Sequence, residues 1–350
     1  MNISTRYPNL SRIDESTALI RLTALWALSE AGLGGFLHLF RTPFTGLIVG
    51  GIAVILLSLM AIVSENVLKS IPRALLLVLI VKMSISPHSP LPAYFAVSFQ
   101  AFAAVFLFRY IPSFKLACLL LGMLALMESA LQKIITLTLI FGQSLWESID
   151  VFANYVIEKM SWFSYLQESH ASKWLIIIYI SLYAIAGIIT GLLSGMMPGK
   201  IDAALENTTH NNWKSEENYP APRKMKKKAF WASKKLRMLV LIFFLILMVY
   251  IFVPAAKSII NPIFIFLRVL LILSLWYFIV APLLMNIFQK FVKKRASAYR
   301  AEVDQALSLL PVFRVMIFSI WRRHGDKALY HRIQAVFIDI VANALKFKHD

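Results

Sequence analysis

Ionisable and amide side chains lying inside apolar runs are where this chain has most chemistry to offer, because a charge in hydrocarbon is costly and persists where it is paired or used. Glu30, Lys82, Gln100, Glu128, Gln132 and Lys133 all occupy such runs. Glu30 is in the outer half of the first run and Lys82 is near the outer end of the third. Gln100 is midway along the fourth, and Glu128, Gln132 and Lys133 lie from the middle of the fifth outward. His38 and His88 stand at the same outer mouth. Glu128 and Gln132 are four apart and share a helix face. These eight residues form the candidate substrate-binding set. They are able to line a polar cavity open to the outside, with Glu30 or Glu128 paired to Lys82 or Lys133. The competing reading is that they are interhelical pairs that only fix packing.

Other chemistries find little footing. His38, His88 and His170 project outward, but none has close ligand spacing, so no metal site is expected. The single cysteine, Cys118, lies in an apolar run and provides neither a disulfide framework nor a thiolate metal site. There is no Gly-x-x-x-x-Gly-Lys-Ser/Thr loop, no His-Glu-x-x-His, no Cys-x-x-Cys and no serine in a nucleophile elbow. No cofactor is expected, and the chain is not read as an enzyme. Energy for active transport would come from another protein or an ion gradient. Two alternatives stay open: an integral-membrane enzyme using Glu30 and Glu128 as acid and base on a lipid or prenyl substrate, and a non-transporting membrane scaffold.

The elements that must position these residues follow from composition. With 59% hydrophobic residues, 15% charged and a mean hydropathy of +0.70, an all-α polytopic membrane protein is expected. A bilayer core of about 30 Å needs about 20 apolar residues in a helix. On that measure about eight spans fall near 17–38, 44–63, 71–84, 91–109, 114–141, 174–197, 236–256 and 262–288. Residues 1–16 are polar and the first run is too long for a signal h-region, so it is expected to remain as the first span. Three prolines between Ser84 and Pro92 predict irregular backbone at the membrane face.

The formal charge of +18 gathers in short segments beside apolar runs, which suits anionic lipid or an acidic partner better than nucleic acid. The densest segment, Pro198 to Lys235, carries Lys200, Lys214, Arg223, Lys224, Lys226, Lys227, Lys228, Lys234 and Lys235 against four acidic residues. Lysine and arginine excess places such a loop in the cytoplasm. Arg6, Arg12, Lys69, Arg73, Arg109, Lys115 and the tail after Lys290 then fall on the same side, which predicts a multi-pass protein of the plasma (inner) membrane with both termini cytoplasmic. The acidic loop with Glu147, Asp150, Glu158 and Glu168 falls outside, where Trp146, Trp162 and Trp174 suit interfacial anchoring.

Three blocks result: a six-span domain at 1–197, a basic linker at 198–235, and a two-span domain at 236–350 ending in cytoplasmic amphipathic helices. In that tail Ile333, Val336, Phe337, Ile340, Val341 and Leu345 recur at helical spacing over 328–347, and a second amphipathic stretch, Val303 to Trp321, is expected to be interrupted at Pro311. Such helices lie on lipid or grip a cytoplasmic partner. Ala27 and Ala31 give the first span a small-residue face for close helix approach, within the protein or with a partner.

Residues 1–197 resemble the substrate-binding S component of energy-coupling-factor transporters. The resemblance is carried by the six-span plan, the Ala27/Ala31 face, the stretch Ser29-Glu-Ala-Gly-Leu-Gly-Gly-Phe-Leu-His38 and the Pro-His-Ser-Pro segment at 87–90. It implies that the outer cavity captures a vitamin-like compound or a metal ion as substrate, and that Ala27 and Ala31 meet a T component. Residues 236–350 look, more weakly, like a shortened T component coupled to a separate ATPase. The string nearest to that family's Ala-Arg-Gly motifs is Trp321-Arg-Arg-His-Gly325, which puts Arg322 and Arg323 at the implied partner contact.

Overall fold

The computed structural model describes residues 6–39, 44–86, 89, 91–159, 170–208, 261–296, 299–326 and 328–347. The expected span at 236–256, the basic stretch from 209 on, His88, Trp162 and the side chain of His38 lie outside them. The described residues are helical, with no strand among them.

A 3-10 turn, Leu10–Arg12, leads into α1, Glu15–Leu28. Asp14 caps α1 by accepting from the Thr17 amide at 2.9 Å. The Ser16 hydroxyl, the Thr17 amide and the Thr17 hydroxyl together hold the exposed Asp14 carboxyl below the usual carboxylate range. After α1 the backbone widens into a π-helical turn, Ser29–Leu33, closed by the Gly34 amide donating to Ser29 O, and continues as α2, Gly34–Leu39. Then come α3, Thr45–Val63; α4, Val67–Ile85; α5, Leu91–Tyr110; and α6, Phe114–Phe141. They are followed by α7, Gln143–Lys159, and α8, Ala171–Asn207. The last group is α9, Asn261–Leu275, a second π-helical turn at Trp276–Val280, α10, Ala281–Ala296, α11, Arg300–Arg323, and α12, Leu329–Lys346.

Among the described residues, six helices are long and apolar enough to cross a membrane: α3, α5, α6, α8, the stretch Leu267–Lys290, and α11. Three features depart from the sequence expectation. Where an outer loop was expected, residues 143–159 form α7. Helix α8 runs on through Pro198 to Asn207, so the first ten residues of the basic stretch, 198–207, are helical. Helix α11 is unbroken at Pro311. Proline forfeits one backbone bond in a helix interior, but Pro311 is buried between the buried Leu310 and Phe313, and that packing holds the helix across it.

The described helices divide into two compact units, with breaks inside α6, α8 and α10. In the first unit (within residues 1–130, 180–208 and 289–347) α1 is central, packed by α3, α4, α11 and α12, while α5 lies against α3 and α4. Leu22, Ala24, Trp26 and Ala27 are fully buried there, and Ala31 nearly so. The small-residue face of α1 is therefore covered by the chain's own helices, which is the intramolecular one of the two readings of Ala27 and Ala31. At one end of this unit the Glu65 amide donates to Glu15 at 3.0 Å and Arg73 pairs with Glu302. Arg21 donates to the Leu345 carbonyl, and Lys346 donates to the Thr208 carbonyl at 2.9 Å. The buried Asp202 of α8 accepts from the Leu10 amide at 2.8 Å.

Helices α6 and α8 meet backbone to backbone. A Cβ on Gly122 would stand 2.7 Å from the Gly191 nitrogen, and one on Gly191 would stand 2.6 Å from Leu119 Cα. Only glycine permits that approach, the small-residue packing typical of membrane helices.

In the second unit (131–179 and the described part of 222–288) Trp146 donates to the Thr138 hydroxyl at 3.1 Å. The Asp150 carboxylate accepts from the Ser172 amide at 2.7 Å and the Ser172 hydroxyl at 2.9 Å, so a side chain of α7 caps the first turn of α8. Gly142 joins α6 to α7 at φ 72°, the left-handed region that glycine tolerates.

Candidate functional site

Two of the sequence-derived site residues, Glu30 and Lys82, come together in the first unit. Glu30 stands in the π-helical turn, where Gly32 and Gly34 favour departure from regular helix and the extra residue per turn re-aims the side chains around it. Lys82 is in the last turn of α4. Its Nζ donates to Glu30 Oε2 at 2.7 Å, and the two side chains are only 4% and 5% exposed. The Tyr94 ring of α5 lies 5.7 Å from the same Nζ, within cation–π reach. Of the pairings open in the sequence, this is the one the structure forms.

Gln100 of α5, and Leu126 and Ser129 of α6, are placed against α3 by its glycines. A Cβ on Gly50 would stand 3.3 Å from Gln100 Nε2 and 3.1 Å from Leu126 Cδ2. One helical turn away, a Cβ on Gly46 would stand 3.0 Å from Ser129 Cβ. Glu128 lies about 200° round α6 from Leu126, on another face than the one that meets Gly50. Gly34, one turn past Glu30, has its Cβ position 3.8 Å from Val49 of α3. On α6, Ala117, Leu121, Ala125 and Glu128 fall along one buried stripe at helical spacing.

The chemistry of these buried groups is asymmetric. Glu30 and Lys82 neutralise each other in a charge-assisted bond. Glu128 is 9% exposed, yet neither carboxylate oxygen has a hydrogen-bond partner among the described residues. The Gln100 carbonyl oxygen, on a residue 3% exposed, has none either. Buried polar atoms in native proteins nearly always find partners, so these three acceptors without one among the described residues stand out.

The remaining predicted residues are dispersed. Gln132 is half-buried and Lys133 exposed, and both belong to the second unit. Arg322 and Arg323 are exposed at the end of α11. No group of three histidine, cysteine or acidic residues suited to a metal gathers among the described residues.

Two members of the neighbourhood escaped the sequence reading. Trp26, fully buried with its indole N–H unpartnered among the described residues, precedes Glu30 by one turn; that spacing is the signal that would have found it. Tyr94 gave none, since an aromatic residue in an apolar run reads as core or lipid contact.

The architecture is that of an all-α protein with helices of membrane-spanning length and a few buried polar side chains. No family model matches this chain, and neither a curated protein nor a solved structure is found to match it.

Proposed function

We propose that this chain is a multi-pass membrane transport component that captures a small solute through the buried polar residues of its first unit, Glu30, Lys82, Gln100 and Glu128. The observation that carries this reading is Glu128, a buried carboxyl group with no hydrogen-bond partner for either oxygen among the described residues. A polar residue kept only for packing is expected to be paired by its neighbours, whereas a binding site keeps such groups for its ligand. In this reading about eight spans, six plus two, hold the protein in the plasma (inner) membrane with both termini cytoplasmic.

Capture is coupled to a separate ATPase through the amphipathic carboxyl-terminal helices, as in the energy-coupling-factor transporters whose S component the first 197 residues resemble. The exposed Arg322 and Arg323 are the contact on this side. The chain supplies binding, and the partner supplies energy.

Solute uptake in cells carrying Glu128→Gln tests the assignment. The substitution keeps shape and removes the ionisable group, and uptake is expected to fall at least about tenfold, corresponding to loss of about 1.4 kcal/mol of binding. Unchanged uptake would remove Glu128 from the site.

A further inference from the structure

We infer that α7 is a membrane-surface helix, with its exposed apolar arc set into the boundary between headgroups and acyl chains of a neutral bilayer. Three contacts inside the second unit fix the height of α7. It follows Gly142, the residue after α6 ends, and a Cβ there would stand 2.9 Å from Arg268 Nη1. Arg268 is the single charged residue of α9, and a guanidinium near the end of a membrane-spanning helix comes to rest where the hydrocarbon ends. One turn into α7, Trp146 donates to Thr138 in the last turn of α6 at 3.1 Å, so α7 leaves the α6 axis instead of extending it. One turn further, Asp150 accepts from the Ser172 amide in the first turn of α8 at 2.7 Å. Helix α7 therefore joins the ends of two helices of membrane-spanning length on one side of the bilayer.

Around its axis α7 divides into three sectors. Trp146, Asp150, Ala153 and Ile157 share one half-buried side, the side that holds α6 and α8. Glu147 and Glu158, both exposed, fall within about 20° of each other on the next edge. Beyond them the arc carries Val151, Phe152, Tyr155 and Val156, which are 70%, 68%, 58% and 37% exposed. Ser148 also falls in this arc, but its hydroxyl donates to the Ser144 carbonyl of its own helix at 2.6 Å and so needs no water. A helix lying at the bilayer surface has protein, water and lipid around it, and these three sectors match them in turn. The edge is acidic, which an anionic surface would repel, so apolar insertion into neutral lipid is what holds the arc in place.

The test uses the full chain in phosphatidylcholine vesicles, carrying one nitroxide label at a time; the native Cys118 is fully buried. Labels at Phe152→Cys and Val156→Cys are expected to meet oxygen, which concentrates in lipid, more often than a water-soluble nickel chelate, at a depth of about 5–10 Å inside the headgroup boundary. Labels at Glu147→Cys and Glu158→Cys are expected to show the reverse preference. Ile178→Cys, exposed on α8, is the reference for immersion in the bilayer. Chelate preference at 152 and 156 with oxygen preference at 178 would overturn the proposal and leave α8 a span, and chelate preference at every position would overturn both. Shielding of 152 and 156 from both reagents would give the arc to a protein, a partner or a second copy, and overturn lipid insertion. Oxygen preference at 147 and 158 as well would put all of α7 in hydrocarbon and overturn its place at the surface.

Discussion

At the scale of single residues, Glu30 and Lys82 show how a buried ion pair tests the difference between packing and function. Removing one partner strands a charge away from water, at a cost of about 3–5 kcal/mol, whereas replacing both with apolar side chains of similar volume is often neutral. Lys82→Met alone is therefore expected to lower thermal stability strongly in detergent, and Glu30→Leu with Lys82→Met is expected to recover most of it. If the pair serves binding, the double variant folds but transports poorly; wild-type uptake in the double variant would return the pair to a packing role. The sequence placed both residues in the outer half of their runs and named this pairing among several. It could not select it, because the choice depends on the π-helical turn at Ser29–Leu33, and that register shift is written in no periodicity of the surrounding apolar residues. Glu128 was likewise visible as an ionisable group in an apolar run. That its oxygens find no partner among the described residues is a property of the packed neighbours alone.

At the scale of elements, the α6–α8 crossing and the α7 cap make separate predictions. Gly122 and Gly191 bring two helices into backbone contact, so a methyl group at either position must push the helices apart and cannot be absorbed by a side-chain rotation. Gly122→Ala is expected to destabilise by about 1–3 kcal/mol or more, measured as a fall in Tm in detergent; a Tm within experimental error of wild type would show that the helices do not approach as closely as described. The sequence reading dwelt on the glycines of the first two spans and passed over Gly122, Gly187 and Gly191, since their meaning lies in which two helices face each other.

The α7 cap depends on pH. The Ser172 amide, then the Ser172 hydroxyl and the nearby His170 and Lys173 charges, hold the Asp150 carboxyl below the usual carboxylate range. With the folded pKa below the unfolded value of about 3.9, the contribution to stability is present above about pH 4 and is lost as pH falls through the folded pKa. Protection from hydrogen exchange at the first turn of α8, taken relative to the intrinsic exchange rate at each pH, is expected to fall on acidification in wild type. In Asp150→Ala it should be low at every pH; a wild-type-like pH response in the variant would remove the cap from the explanation.

At the scale of the whole molecule, membrane character was legible because it is compositional: long apolar runs appear in the sequence as they appear in the fold, and α3, α5, α6 and α8 coincide with runs read there. The role of the carboxyl-terminal helices was less legible. The stretch containing α11 reads as amphipathic, yet α11 meets the length and hydropathy of a span and buries Val303, Ala306, Leu310, Phe313 and Ile320 against its unit. A helix with one buried face and one apolar exposed face looks the same in sequence whether that second face meets lipid or a cytoplasmic protein. Orientation separates the possibilities, and the chain is well suited to measuring it because its single cysteine, Cys118, is fully buried. His170→Cys and Arg323→Cys each introduce one exposed thiol, at the start of α8 and at the end of α11. With basic segments held in the cytoplasm, a membrane-impermeant thiol reagent is expected to label His170→Cys in intact cells and Arg323→Cys only after permeabilisation. Labelling of both in intact cells would make α11 a crossing helix that delivers its end to the outside, and would remove Arg322 and Arg323 from any contact with a cytoplasmic ATPase. Labelling of Arg323→Cys alone would invert the whole topology and place the buried polar residues toward the cytoplasm, turning the proposed capture from outside into capture from within.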